Sequence, residues 1–205
     1  MNRLTIALFA TSDANYSAVM NDYMTAANTM LAPYGMSLEV FQTNPANPSA
    51  PKMLSYTGPV FDGPGDPGTV RQQCHVAVPN GRGIPVIFCK RNYDTATSGA
   101  IELGSTIQTA NTEANNGIQW LPYILINTQG KSTANEVLLH EMIHAAYGAN
   151  QPNKPRDPHD TDRGSCFYQY GTVANAPNQS GSPTRTLPSK HADVLRKAYF
   201  SVYVP

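Results

Sequence analysis

Residues 131–148 encode a helix with almost no polar side to turn toward water. Thr133 with Glu136 three residues later forms a capping box, the pattern that satisfies the first N–H groups of a helix. Leu138, Leu139, Met142, Ile143, Ala145 and Ala146 are then spread around every face. The spacing predicts a buried helix over 133–147, closed by Gly148 in the left-handed conformation. Such a helix must be covered by other layers, so the rest of the chain has to supply a sheet or further helices. His140, Glu141 and His144 lie within it and have to be accounted for there.

The remaining sequence supplies those layers. Residues 4–10 read as a buried strand, and Asp13 can cap a helix over 15–31, where Val19, Met20, Met24, Ala27 and Leu31 recur at helical spacing. Pro33 and Gly35 end that helix. Leu38, Val40 and Phe41 suggest a second strand, and 43–69 reads as a long irregular connection. Residues 84–90, with Pro85 near the start, and 121–127, after the Asn115-Asn116-Gly117 turn, read as further strands. A final helix is expected over 189–203. The expected class is α+β with an α/β-like N-terminal part, in which a mixed twisted sheet carries the helices. A single domain over 1–205 is expected: sheet and helices in 1–148, then a long irregular loop and the C-terminal helix in 149–205.

Composition narrows the function. The 205 residues are 40% apolar and 14% charged, with 14 basic and 14 acidic side chains that cancel. Nucleic-acid binding is not expected, because it runs on clustered Lys and Arg. No membrane span is expected either: the longest apolar run, 121–126, is broken by Pro122 and is far short of about 20 residues. Three cysteines without a Cys-x-x-Cys pair make neither a disulfide framework nor a zinc knuckle. Cys74 and Cys89 could form one bridge, and three buried thiols serve equally well. Residues 1–10 read as a first strand rather than a signal peptide, because no small-residue cleavage site follows them. With that strand starting at residue 3 or 4, no pro-segment is expected upstream. A charge-poor surface rich in Asn, Thr, Ser and Gly favours a secreted or exported protein. A monomer is the simplest expectation.

The chemistry resides in His140, Glu141 and His144. Spaced i and i+4, the two imidazoles project from one face and can hold one zinc ion at about 2.0–2.1 Å. Glu141 can reach a water in an open coordination position without ligating the metal. Zinc lowers the pKa of bound water toward about 7 and a carboxylate then takes its proton, a combination that hydrolyses amides.

Leu139-His140-Glu141-Met142-Ile143-His144-Ala145 resembles the active-site helix of zincin metallopeptidases. The resemblance implies a small zincin-type domain with one catalytic Zn2+, His140 and His144 as ligands, Glu141 as general base, and a protein or peptide substrate. Catalytic zinc normally takes three protein ligands. No Glu follows Glu141, which excludes the gluzincin arrangement within this chain. A strict metzincin pattern is also absent: Tyr147 stands at its Gly position, Asn150 at its third His, and no Met follows Met142. His159, in a metzincin-like arrangement with an atypical third-ligand segment, is the expected third ligand. Asp157, Asp160 and Asp162 are the aspzincin-like alternatives, and Asp157 or Asp160 could instead orient the His159 ring.

Tyr168, Tyr170 and His191 are the candidate donors to the oxyanion that forms when water attacks a carbonyl. The loop 149–188 would form the lower wall of a cleft. An edge strand within 98–120 would form the upper wall and accept an extended peptide by strand addition. Arg156, Arg163 and Arg185 could bias that cleft toward acidic side chains. The expected activity is zinc-dependent endopeptidase hydrolysis through a zinc-bound water activated by Glu141. The rivals are a non-catalytic zincin-like binding module and a zinc amidase acting on cell-wall or other non-protein amides.

Overall fold

A computed structural model describes residues 1–41, 46–47, 50–57, 60–62, 83–90, 92–94, 101–102, 104–107, 123–129, 136–150, 187 and 189–205. Strand β1 (Asn2–Thr11) lies at the centre of a seven-stranded mixed sheet. On one side it pairs in parallel with β2 (Met36–Phe41) and then with β3 (Lys52–Leu54). On the other it pairs in parallel with β5 (Ile84–Cys89), which pairs in parallel with β9 (Tyr123–Asn127). Strand β8 (Gly104–Ile107) runs antiparallel to β9 and is the last strand on that side among the described residues. The C-terminal β10 (Ser201–Tyr203) pairs antiparallel with residues 2–4 of β1. A separate small sheet joins β4 (Val60–Asp62), β6 (Asn92–Asp94) and β7 (Ile101–Glu102).

Side-chain alternation divides the core in two. Leu4, Ile6, Leu8 and Ala10 of β1, Val86 and Phe88 of β5, and Ile124 and Ile126 of β9 share one cluster with the three α-helices found among the described residues. These helices are α1 (Met20–Leu31), α2 (Val137–Asn150) and α3 (Ser189–Arg196). Ala7, Phe9, Ile87, Cys89, Tyr123 and Leu125 point the opposite way, against Leu54. The central parallel strands are buried on both faces, which is why β5 and β9 read as unbroken apolar runs. The class is therefore α+β with a mixed sheet, as expected. No helix among the described residues is long and apolar enough to cross a membrane.

Several boundaries differ from the sequence expectation. Asp13 does not cap α1: its carboxylate accepts from Thr11 Oγ1 at 2.9 Å, a short 3-10 turn over Tyr16–Ala18 intervenes, and α1 begins at Met20. Gly35 ends the α1 segment as expected, in the left-handed region at φ 64°. Gly148 does not end α2, which continues to Asn150. A glycine inside a helix costs only about 1 kcal/mol, too little to stop one packed on a sheet. The connection 43–69 contains β3 and β4. The last expected helix, 189–203, stops at Arg196. Bonds from the Lys197 and Ala198 N–H groups to the Val194 and Leu195 carbonyls tighten its end, and Ser201–Tyr203 joins the sheet. The aromatic and β-branched residues of that tail suit a strand better than a helix. Cys89 is a buried thiol donating to the Ile126 carbonyl at 3.5 Å; Cys74 and Cys166 lie outside the described residues.

Magnitudes separate core from surface here. Leu8→Ala should lower unfolding free energy by about 2–5 kcal/mol, because it opens a cavity where the helices meet β1. Glu39→Ala removes only the half-exposed Arg3–Glu39 pair at 3.1 Å and should change it by less than about 1 kcal/mol. Urea denaturation of both variants checks the contrast.

Candidate functional site

Helix α2 is packed on the helix-bearing face of the sheet through Val137, Leu138, Leu139, Met142, Ile143, Ala145, Ala146 and Tyr147, all buried. His140 is 5% exposed and Glu141 6%, while His144 is half-buried. Two imidazoles and a carboxylate so placed each need polar company, since an unpartnered polar group loses several kcal/mol on burial. The expected capping residue Thr133 lies outside the described residues. Glu136 is the turn residue before the helix, and its carbonyl accepts the His140 N–H at 2.9 Å.

One helical turn apart, the His140 and His144 rings stand edge to face, with centroids 4.8 Å apart and planes at 80°. Two rings bound to one tetrahedral zinc at about 2.0–2.1 Å would have centroids roughly 5 Å apart. The ring separation is therefore of the size that a shared metal ion requires. Among the described residues no group of three His, Cys, Asp or Glu side chains gathers around one point. Every candidate third ligand, His159, Asp157, Asp160 and Asp162, lies outside the described residues, as do Tyr168, Tyr170, Arg156, Arg163 and Arg185.

Glu141 leaves α2 beside strand β8. Thr106 Oγ1 sits 2.8 Å from the Glu141 carbonyl oxygen and 2.6 Å from its Oε2, so its single hydroxyl proton is shared between the backbone and carboxylate oxygens of the same residue. Two residues earlier on the same strand, and so on the same face, is Gly104. A Cβ there would meet Val137 Cγ1 at 2.7 Å, Glu141 Cγ at 3.0 Å and Glu141 Oε1 at 3.2 Å. Only a residue without a side chain allows this approach of strand to helix. The sequence reading places an edge strand within 98–120 but names neither Gly104 nor Thr106. A glycine in a strand hints at a close approach, but only the sheet order shows that residue 141 is what approaches.

His191, a candidate oxyanion donor, is wholly buried on α3. Its Nδ1 lies 3.1 Å from the Tyr147 hydroxyl in a hydrogen bond, with the two rings edge to face. Tyr147 thus ties α3 to the helix that carries His140 and His144. The Tyr34 hydroxyl, which donates to the Leu187 carbonyl, and the Arg196 guanidinium, 3.1 Å from the Tyr34 carbonyl oxygen, hold the same corner.

Gly104→Ala should destabilise the protein by roughly 1–3 kcal/mol, because the new methyl group collides with Val137 and Glu141. Tyr147→Phe should cost roughly 1–3 kcal/mol by taking the hydroxyl from a buried ring nitrogen. Both are read as shifts in the denaturation midpoint. A Gly104→Ala variant as stable as the parent would mean that β8 is free to back away from α2.

Comparison with protein-family models, with curated proteins and with solved structures finds no match for this chain.

Proposed function

We propose that the chain is a zinc-dependent metalloendopeptidase of zincin type, with His140 and His144 as metal ligands and Glu141 as general base. The observation that carries this reading is the joint arrangement on α2: two adjacent rings at a spacing that suits one metal ion, and a carboxylate held one residue away. A buried helix that had no use for such groups would more readily carry apolar side chains, because burying them is expensive.

Zinc held by these rings would polarise the scissile carbonyl and make water more acidic. The rest falls to the chain itself. Glu141 takes a proton from the attacking water at its carboxylate and returns it to the leaving amine. Strand β8 is the last strand in the sheet order beyond β9 among the described residues. An extended peptide added there would run alongside Glu141, with main-chain bonds providing affinity and little demand on side-chain identity. His159 is the proposed third ligand. Of the proposed oxyanion donors, Tyr168 and Tyr170 suit the task better than His191, whose Nδ1 is engaged by Tyr147.

The test begins with an anomalous-difference map at the zinc edge, from crystals grown without chelator and offered excess zinc. A peak between His140 and His144 is expected, with His159 as the third contact. His140→Ala and His144→Ala should lose the metal. Glu141→Ala should keep it and lose about 10²–10⁴-fold in cleavage of an unfolded protein substrate. No peak, or unchanged cleavage by Glu141→Ala, overturns the reading. Cleavage confined to peptidoglycan fragments would assign the same water chemistry to an amidase, and metal binding without any cleavage would leave a binding module.

A further inference from the structure

We propose that Thr106 is a positioning residue for the reaction and that its hydroxyl sets where the Glu141 carboxylate stands; this rests on the reading of Glu141 as general base. A glutamate has three side-chain torsions and, on a helix surface, samples several rotamers. Here both ends of the residue are tied to one atom. Thr106 Oγ1 reaches the Glu141 carbonyl oxygen at 2.8 Å and Oε2 at 2.6 Å, which holds the side chain curled along α2 toward β8. Gly104 acts from the same strand face. Because it has no Cβ, Glu141 Cγ and Oε1 occupy space that any other residue would enter.

The register of the sheet makes this arrangement rigid. Gly104 is paired with Ile126 and Thr106 with Ile124, and both partners are fully buried beneath the helices. The threonine is therefore carried by the ladder, not by a loop. Its β-branched side chain has a restricted χ1, so the hydroxyl itself is held in place. A proton acceptor must sit within about 0.5 Å of its productive position, and a misplacement near 1 Å can lower a rate about a hundred-fold. Holding Glu141 before substrate arrives is what Thr106 contributes. Its contact is with Glu141, not with substrate or metal.

The experiment compares Thr106→Val, which keeps the shape and deletes the hydroxyl, with Thr106→Ser, which keeps the hydroxyl. Both are made in the full chain and in the Glu141→Ala background. Steady-state cleavage of a peptide, zinc content and crystal structures are read. Thr106→Val should lower kcat about ten- to a hundred-fold with KM within about two-fold. Zinc content should match the parent, and the Glu141 carboxylate should leave its place in the crystal structure. Thr106→Ser should recover kcat to within about three-fold of the parent, and Thr106→Val should add nothing in the Glu141→Ala background. Parental kcat in Thr106→Val, equal impairment in Thr106→Ser, or a loss confined to KM or zinc content overturns the proposal. If Glu141→Ala itself turns over like the parent, the general-base reading has failed and the positioning role falls with it. If Glu141→Ala is inactive while Thr106→Val keeps the parental kcat, only the positioning role fails.

Discussion

The close approach of α2 to β8 is the contact on which the candidate site depends. A glycine at position 104 removes the one methyl group that would keep Val137 and Glu141 away from the strand. Thr106, two residues on, then bonds both the carbonyl and the carboxylate of Glu141. The apolar face of the helix provides the energy for this approach. Leu138, Leu139, Met142 and Ile143 are wholly buried, each worth about 1.5–3 kcal/mol relative to exposure. That driving force presses the helix onto the sheet and carries the polar groups into the interior with it.

A second contact holds the far end of the same helix. Tyr147 and His191 bond across the α2–α3 junction, both buried, and the chain then returns through β10 to the first residues of β1. The helix bearing the two histidines is thus fixed at both ends by polar bonds and along its length by apolar packing. That rigidity is what the proposed general base at Glu141 would use, since a proton acceptor works best when held in place beforehand.

Legibility from sequence varied with the range of the interaction. The buried helix, the strands β1, β5 and β9, and the triplet His140, Glu141 and His144 were readable because apolar runs and i, i+4 spacing are local signals. The tail from Tyr199 to Val204 has the aromatic and β-branched residues of a strand, but it follows α3 without a Gly or Pro to mark where the helix stops. Its strand form is selected by pairing with residues 2–4, almost the whole chain away. Asp13 was misassigned as a cap because its side chain is taken up by Thr11 instead. Gly148 was misassigned as a stop because packing of α2 on the sheet outweighs the weak preference of glycine to leave a helix.

By itself the sequence determined the apolar pattern of the main helices and strands, the α+β class, and a pair of histidines flanking a glutamate on one buried helix. Those follow from chemistry within a few residues of each other, where spacing translates directly into geometry. Only the tertiary structure decided that β8 pairs with β9 beside α2, that Gly104 and Thr106 meet Glu141, and that His191 answers to Tyr147. Those contacts join residues 35 to 44 positions apart. No local pattern encodes such pairings, because they arise when the strand order and register of the whole sheet are settled.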